Sequence, residues 1–331
     1  MKTSLLAKLS LALAAGAALL LAPSCATKKA VYSQDVHVKS DSVYLFTSFH
    51  DADQKYLRFL WSEDGYHWTN VPGTFLEANV GEAKQFRDPS IACGPDGVFH
   101  LVWTAGWHDG QGFGYASSRD LIHWSKQEFI PVMADEPTTV NVWAPEIFFD
   151  ELDSQFIIVW ASTIPGRFPD MSESHTNNQR LYFTTTHDFE NFSPAALFLD
   201  PRFSVIDAFL ARDNDHYVLI CKDNSRGSLA LRGAFGKTPM GPWDGMSRFI
   251  TQRYTEGPCA LKIGEDWLIY FDAYRDKRYG ALRTRDFKNF TDVSREMSFP
   301  PDHKHGTAFQ VPRSILDRLL KSEPARYEKN L

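Results

Sequence analysis

From residue 42 to residue 311 the chain alternates short apolar runs with polar turns. Five of the runs are rich in aliphatic and aromatic residues: "SVYLFTSF" (42–49), "GVFHLVWTA" (97–105), "SQFIIVWAS" (154–162), "DHYVLICKD" (215–223) and "DWLIYFDAY" (266–274). Runs of this length bounded by Gly, Pro, Asn and Asp read as hairpin strands. A further strand follows each, as in "LRFLWS", "FGYASS", "LYFTTT", "LALRGAF" and "YGALRT". A polar turn comes next: "WSEDGYHWT" (61–69), "SSRDLIHWS" (117–125), "TTHDFENFS" (185–193) and "RTRDFKNFT" (283–291), with a fourth-copy variant, "GKTPMGPW" (236–243), that lacks the Asp. A small hydroxyl residue, an Asp two positions on and an aromatic four after it suit a tight turn in which the carboxylate caps backbone N–H groups. Asp64, Asp120, Asp188 and Asp286 are therefore structural.

Ahead of four of the five long runs stands another segment: "RDPSIAC" (87–93), "WAPEIFF" (143–149), "IDAFLAR" (206–212) and "EGPCALK" (256–262). The first copy has none, and the chain instead ends its strand pattern with an orphan, "HGTAFQV" (305–311). If the orphan completes the first copy, five four-stranded sheets close into a ring. The expected fold is all-β, a five-bladed β-propeller whose N- and C-terminal strands share one blade. Ring closure also protects the sheet edges.

The ends of the chain have a different character. Lys2 and Lys8 precede an apolar run, Leu9–Ala22, too short for a membrane span, and small residues lead to Cys25. "LAPSC" resembles a bacterial lipoprotein signal with Cys25 as the lipidated residue; a plain signal peptide lost with Cys25 is the alternative. Residues 1–25 are thus read as signal and lipobox, 26–40 as a tether, 41–313 as the catalytic propeller, and 314–331 as a short helix, capped by Ser314, with a tail. The expected location is outside the cytoplasm, anchored to the outer membrane by lipid and facing the periplasm or the cell surface. Aromatics make up 14% of the 331 residues, the net charge is -6, and no basic block stands out, so nucleic acid is not an expected partner. The remaining cysteines, Cys93, Cys221 and Cys259, lack zinc-like spacing and read as buried free thiols.

In a propeller the innermost strands line the channel. Asp88, Asp207, Glu256 and His305 each stand near the start of such a strand, so three carboxylates from three blades should meet at one channel mouth. Like charges confined together have their pKa values pushed apart, which is what acid–base division requires. Each has a structural reading as well: Asp88 paired with Arg87, Asp207 a satisfied channel residue, Glu256 a ligand of backbone only. The order "RDP", "WAP", "IDA", "EGP", "HG", one per blade, resembles glycoside hydrolase family 43 over Ser42–Val311. That resemblance implies Asp88 as general base, Asp207 as the residue that tunes and orients the acid, and Glu256 as general acid. It also implies a metal ion or water cluster near His305, with calcium or sodium as the ion, and no required cofactor.

Sugar sites want flat aromatic surfaces and polar forks. Trp143 and Arg275 are the leading candidates; Arg87, Phe209 and His305 complete the expected substrate-binding set. Trp107 is a further aromatic, and core packing is the competing role for all the aromatics. Glu146 is read as structural, and the loop 164–180 as bordering the channel mouth. The expected activity is that of an exo-acting inverting hydrolase on oligosaccharides or polysaccharides of plant type, an α-L-arabinofuranosidase or β-xylosidase. A galactan-directed glycosidase, a retaining fructan hydrolase and a non-catalytic sugar-binding propeller are the alternatives.

Overall fold

The computed structural model describes residues 41–108, 110–168 and 177–322. Cys25, the lipobox and the tether lie outside these residues, as does most of the centre of the 164–180 loop.

Five sheets are arranged as a five-bladed β-propeller. The first blade contains β1 (Ser42–Ser48), β2 (Tyr56–Ser62), β3 (Thr69–Asn70) and β4 (Leu76–Glu77). The second has β5 (Arg87–Cys93), β6 (Phe99–Thr104), β7 (Phe113–Ser118) and β8 (Glu128–Ile130). The third has β9 (Trp143–Asp150), β10 (Gln155–Ser162), β11 (Arg180–Thr186) and β12 (Ala196–Leu199). The fourth has β13 (Val205–Asp213), β14 (His216–Asp223) and β15 (Ala230–Gly236); the fifth has β16 (Glu256–Ile263), β17 (Asp266–Ala273), β18 (Arg278–Thr284) and β19 (Thr291–Asp292). β20 (Ala308–Pro312) then returns to the first blade, which reads β20-β1-β2-β3, with β4 also paired to β2. The fourth blade keeps only three strands. Its variant turn, without the Asp, keeps the bridge across the turn, Gly236 to Trp243, that the second and third blades make between Ser118 and Trp124 and between Thr186 and Phe192, but no fourth strand follows it.

Closure is specific. β20 pairs with β1 from Ser42↔Pro312 to Phe46↔Ala308. Beyond the ladder, the Thr47 N–H donates to the Thr307 carbonyl (3.0 Å), and the Thr307 N–H donates to Thr47 Oγ1 (2.8 Å). At Gly306 a Cβ would stand 1.7 Å from the Thr47 carbonyl oxygen, so only glycine lets the two chain ends approach this closely. The core lies between blades rather than within one. Trp68 of the first blade meets Tyr270 of the fifth edge-on, ring centroids 5.7 Å apart, and the Tyr270 hydroxyl donates to the Gly65 carbonyl (2.8 Å). Trp103, Trp160 and Trp267 are completely buried. Truncation of any one would cost about 3–5 kcal/mol through lost contacts and a residual cavity.

The repeated turn is built as its sequence predicts. Asp64 Oδ1 accepts the N–H groups of Tyr66 (2.7 Å) and His67 (2.9 Å). Asp120, Asp188 and Asp286 do the same two and three residues ahead. These bonds hold all four carboxyls down to about 2, against the opposing effect of burial at Asp64 and Asp120. The C-terminal helix α1 (Arg313–Lys321) is capped by Pro312, with no side-chain bond; Ser314, the expected cap, lies inside the helix. Ile315, Leu316 and Leu319 bury its apolar side against the first two blades.

Candidate active site

The inner strands β5, β9, β13 and β16 begin with the same distortion. In each, the register slips just after the start: between Arg87 and Ser90, opposite Val159–Ala161, between Ile206 and Phe209, and between Glu256 and Cys259. The second residue of each motif sits at positive φ: Asp88 (49°), Ala144 (47°), Asp207 (54°) and Gly257 (57°). Only the last is a glycine. A non-glycine residue held there costs on the order of 1–3 kcal/mol and needs its surroundings to impose it. Two of the three strained positions carry the expected catalytic carboxylates. The bulge is thus the local device that turns each one toward the channel mouth.

Asp88, Asp207, Glu256 and His305 come together there. Asp88 Oδ2 accepts from Thr104 Oγ1 (2.9 Å), and its Oδ1 lies 3.5 Å from His305 Nδ1. Burial works to raise the Asp88 pKa, but His305, Arg87 and Thr104 outweigh it and the carboxyl is lowered. Burial likewise opposes charge on His305. Asp88, Asp207 and Glu256 reverse that and hold the imidazole up to about 9, so it is protonated at neutral pH. Its ring packs on Gly257, where a Cβ would stand 2.7 Å from His305 Cγ. Asp207 is buried, and its Oδ2 accepts the Gly257 N–H (3.0 Å). Burial above all raises its pKa; His305 and Lys222 oppose this, while Glu256 and Asp88 add to it. Asp207 therefore bears on Glu256 both through the backbone of the next residue and through its charge.

Lys222, at the end of β14, was not singled out from sequence. Its side chain is 5% exposed, and its ammonium donates to Glu256 Oε2 (2.7 Å). Burial works against its charge, but Glu256 and Asp207 raise its pKa, so it stays an ammonium. A lysine closing an apolar run reads as a solvent-facing strand end, and no sequence signal marks it as an ion-pair partner. A second such pair lies beside it. Lys304 Nζ donates to Asp272 Oδ2 (3.1 Å), and Asp272 stands opposite Glu256 in the β16–β17 ladder. Burial pushes Asp272 up to about 6. Glu146 lies in the channel wall, accepting from Ser90 Oγ (2.6 Å), and burial pushes it up to about 7.

The sugar-binding expectations divide. Trp143 Nε1 donates to the Trp107 carbonyl (3.0 Å), and the two indoles meet edge-on at 5.3 Å. Arg87 spreads over Trp107 (4.4 Å) and Phe49 (4.7 Å) and pairs with Asp51 (3.2 Å). With Trp107 42% exposed, these residues form an aromatic ledge beside Asp88. Phe209 is a correction. It is buried in the core between the fourth and fifth blades, because the slip after Ile206 shifts the alternation and turns it away from the channel. Arg275 is not in a strand: β17 ends at Ala273, and the guanidinium lies on the Tyr254 ring at 3.6 Å. Among the described residues no group of three or more His, Cys, Asp or Glu side chains is placed to hold a metal ion.

Residues 41–317 match the family described as "Probable glycosyl hydrolase domain", a relative of glycoside hydrolase family 43. No curated protein matches the chain by sequence. Solved structures share its fold. One is a family 43 arabinoxylan arabinofuranohydrolase from Bacillus subtilis in complex with cellotetraose, 15% identical, covering 80% of this chain and 66% of that one, TM-score 0.59. Another is a family 43 enzyme from Xanthomonas citri complexed with xylose, 14% identical over 78% of this chain and 88% of that one, TM-score 0.57. A third is an α-L-arabinofuranosidase from Clostridium thermocellum, 13% identical over 78% and 92%, TM-score 0.55. The chain belongs to this family 43-related group of glycoside hydrolases.

Proposed function

We propose that this glycoside hydrolase is an exo-acting, inverting enzyme on plant-type glycans, cleaving α-L-arabinofuranosyl or β-xylosyl ends. One observation carries the reading. Carboxylates from non-adjacent blades, Asp88 and Glu256, face one channel mouth with His305 beside Asp88 and Asp207 against the residue after Glu256. Single displacement needs a base that activates water on one side of the scissile bond and an acid on the other.

Asp88 is the base. Its lowered pKa keeps it ionised, and the bond from Thr104 fixes one oxygen while the other stays near His305. As water attacks, Asp88 takes its proton, and the neighbouring imidazolium stabilises the charge left in the mouth. Glu256 acts as its carboxylic acid: it gives that proton to the departing oxygen and is left as the carboxylate that Lys222 holds in the free protein. In the free protein its Oε2 is held by Lys222, so Glu256 is aimed before substrate arrives. Asp207, whose proton is favoured by burial, sits against the Gly257 N–H and keeps Glu256 and its strand start in place. The Trp107–Trp143–Arg87 ledge offers a sugar a flat face on the Asp88 side. The similar arabinofuranosidases and the enzyme complexed with xylose favour pentosides over the galactan and fructan alternatives.

The test is a panel of aryl α-L-arabinofuranosides, β-xylosides and β-galactosides, with arabinan, arabinoxylan and galactan, and identification of the sugars released. Monomeric arabinose or xylose supports the reading. Release of galactose, of fructose from a fructan control, or of internal oligosaccharides overturns it.

A further inference from the structure

The rim of the channel beside Glu256 carries a concentration of positive charge that the hydrolytic reaction does not use. Tyr254, two residues ahead of Glu256, has two guanidinium groups on its ring: Arg275 at 3.6 Å and Arg253 at 4.7 Å from the centroid. Tyr254 meets Tyr274 edge-on at 6.0 Å, and the Lys222 ammonium lies 5.0 Å from the Tyr274 ring. Both arginines are exposed. Among the described residues neither has a carboxylate within 4 Å, although the protein carries more acidic than basic side chains. The nearby acids are engaged: Glu256 with Lys222 (2.7 Å), Asp272 with Lys304 (3.1 Å) and Asp276 with Arg278 (3.6 Å). Arg253 Nη2 donates to the Arg226 carbonyl (2.6 Å).

Two like charges held on one ring repel. The ring quadrupole offsets part of that repulsion, and an anion bound to the forks offsets more of it. The tyrosine fixes both planar groups, so little side-chain freedom is lost on binding. The two groups connect to the acid through Tyr254, Tyr274 and the Lys222 that holds Glu256.

We propose that Arg253 and Arg275, mounted on Tyr254, form a subsite for an anionic substituent of the glycan, either the carboxylate of a uronosyl residue or a sulfate ester. The proposal rests on the hydrolytic reading of the channel mouth and adds to it that the natural substrate is a charged glycan. Guanidinium forks match the paired oxygens of either group.

The experiment is calorimetric titration of the protein with trigalacturonate, with a sulfated galactose disaccharide, and with neutral xylotriose, at low and high salt. Arg253→Gln and Arg275→Gln are titrated in parallel, and hydrolysis of a neutral aryl pentoside is followed for each. One anionic ligand should bind at least about tenfold more tightly than xylotriose, in keeping with charge-assisted bonds. Which one does so identifies the substituent. Each substitution should remove most of that preference, high salt should weaken it, and the Arg253→Gln protein should turn over the neutral aryl pentoside like the parent. Equal binding of all three ligands, or anion binding that survives both substitutions, overturns the proposal. Arginine-dependent anion binding by a protein that cleaves none of the neutral pentosides overturns the pentosidase reading and leaves the anion subsite standing.

Discussion

The imidazole of His305 links the site to the stability of the fold. Its pKa is 6.5 in an ordinary setting and about 9 here. A difference of 2.5 units corresponds to about 3 kcal/mol of folding free energy. The folded-state value is the higher one, so the stabilisation is fully present below about pH 6.5 and is lost as pH rises through 9. Between about pH 7 and about pH 9.5 the parent should lose roughly 2.5 kcal/mol from this group alone. Asp272, raised to about 6, has almost finished titrating at the start of that window, whereas Glu146, raised to about 7, is half titrated there and adds about 0.4 kcal/mol to the fall of parent and variant alike. The assay is urea unfolding of the parent and of His305→Gln at both pH values, comparing midpoints and slopes. The variant should be less stable at pH 7, because Asp88 and Asp207 lose their nearest cation, yet much flatter across the window. Two curves falling in parallel would mean that His305 is not held protonated by these carboxylates.

Three other substitutions probe separate parts of the structure. Asp88→Asn should lower turnover by on the order of 10²–10⁴-fold on every glycoside, whereas Glu256→Gln should spare aryl glycosides whose leaving group departs without a proton; steady-state kinetics on paired substrates would distinguish these, and equal losses in Glu256→Gln would remove it as the acid. Glu146→Gln keeps the bond from Ser90 but removes a carboxyl whose folded-state pKa is raised from 4.5 to about 7, so ionisation costs the parent stability as pH climbs through that interval; thermal melts should show the variant gaining on the parent at about pH 9 and matching it near about pH 4.5, and a pH-independent difference would contradict this. Ending the chain at Asp302 removes β20, the partner of β1, and should give insoluble protein with an exposed sheet edge; a soluble, cooperatively melting product would refute the closure.

Much of this was legible in the sequence because a propeller repeats. The Ser/Thr-x-Asp turns recur at a fixed place in four blades, and the unpaired "HGTAFQV" segment requires a partner at the other chain end. Convergence of Asp88, Asp207, Glu256 and His305 follows from their shared position at the start of inner strands. Side-chain direction after those positions was not legible. A bulge moves alternation by one residue, and Phe209 passes from an expected channel position to the core. Lys222 and Lys304 were missed for another reason. Each is an ordinary lysine at a strand end or in a loop, and only the tertiary fold sets it against Glu256 or Asp272. The fourth blade lacks a strand where its turn lacks the Asp, a difference visible in "GKTPMGPW" whose consequence for strand count was not inferred.

The central claim is a single displacement in which Asp88 activates water opposite the acid. Proton NMR of the first sugar released from the best aryl glycoside, recorded before the anomers equilibrate, tests it directly. The new hemiacetal should appear with the anomeric configuration opposite to that of the substrate, and Asp88→Asn should release it far more slowly. Retained configuration would contradict it, because it requires a covalent sugar–enzyme intermediate and a nucleophile that this arrangement of Asp88, Asp207 and Glu256 does not assign.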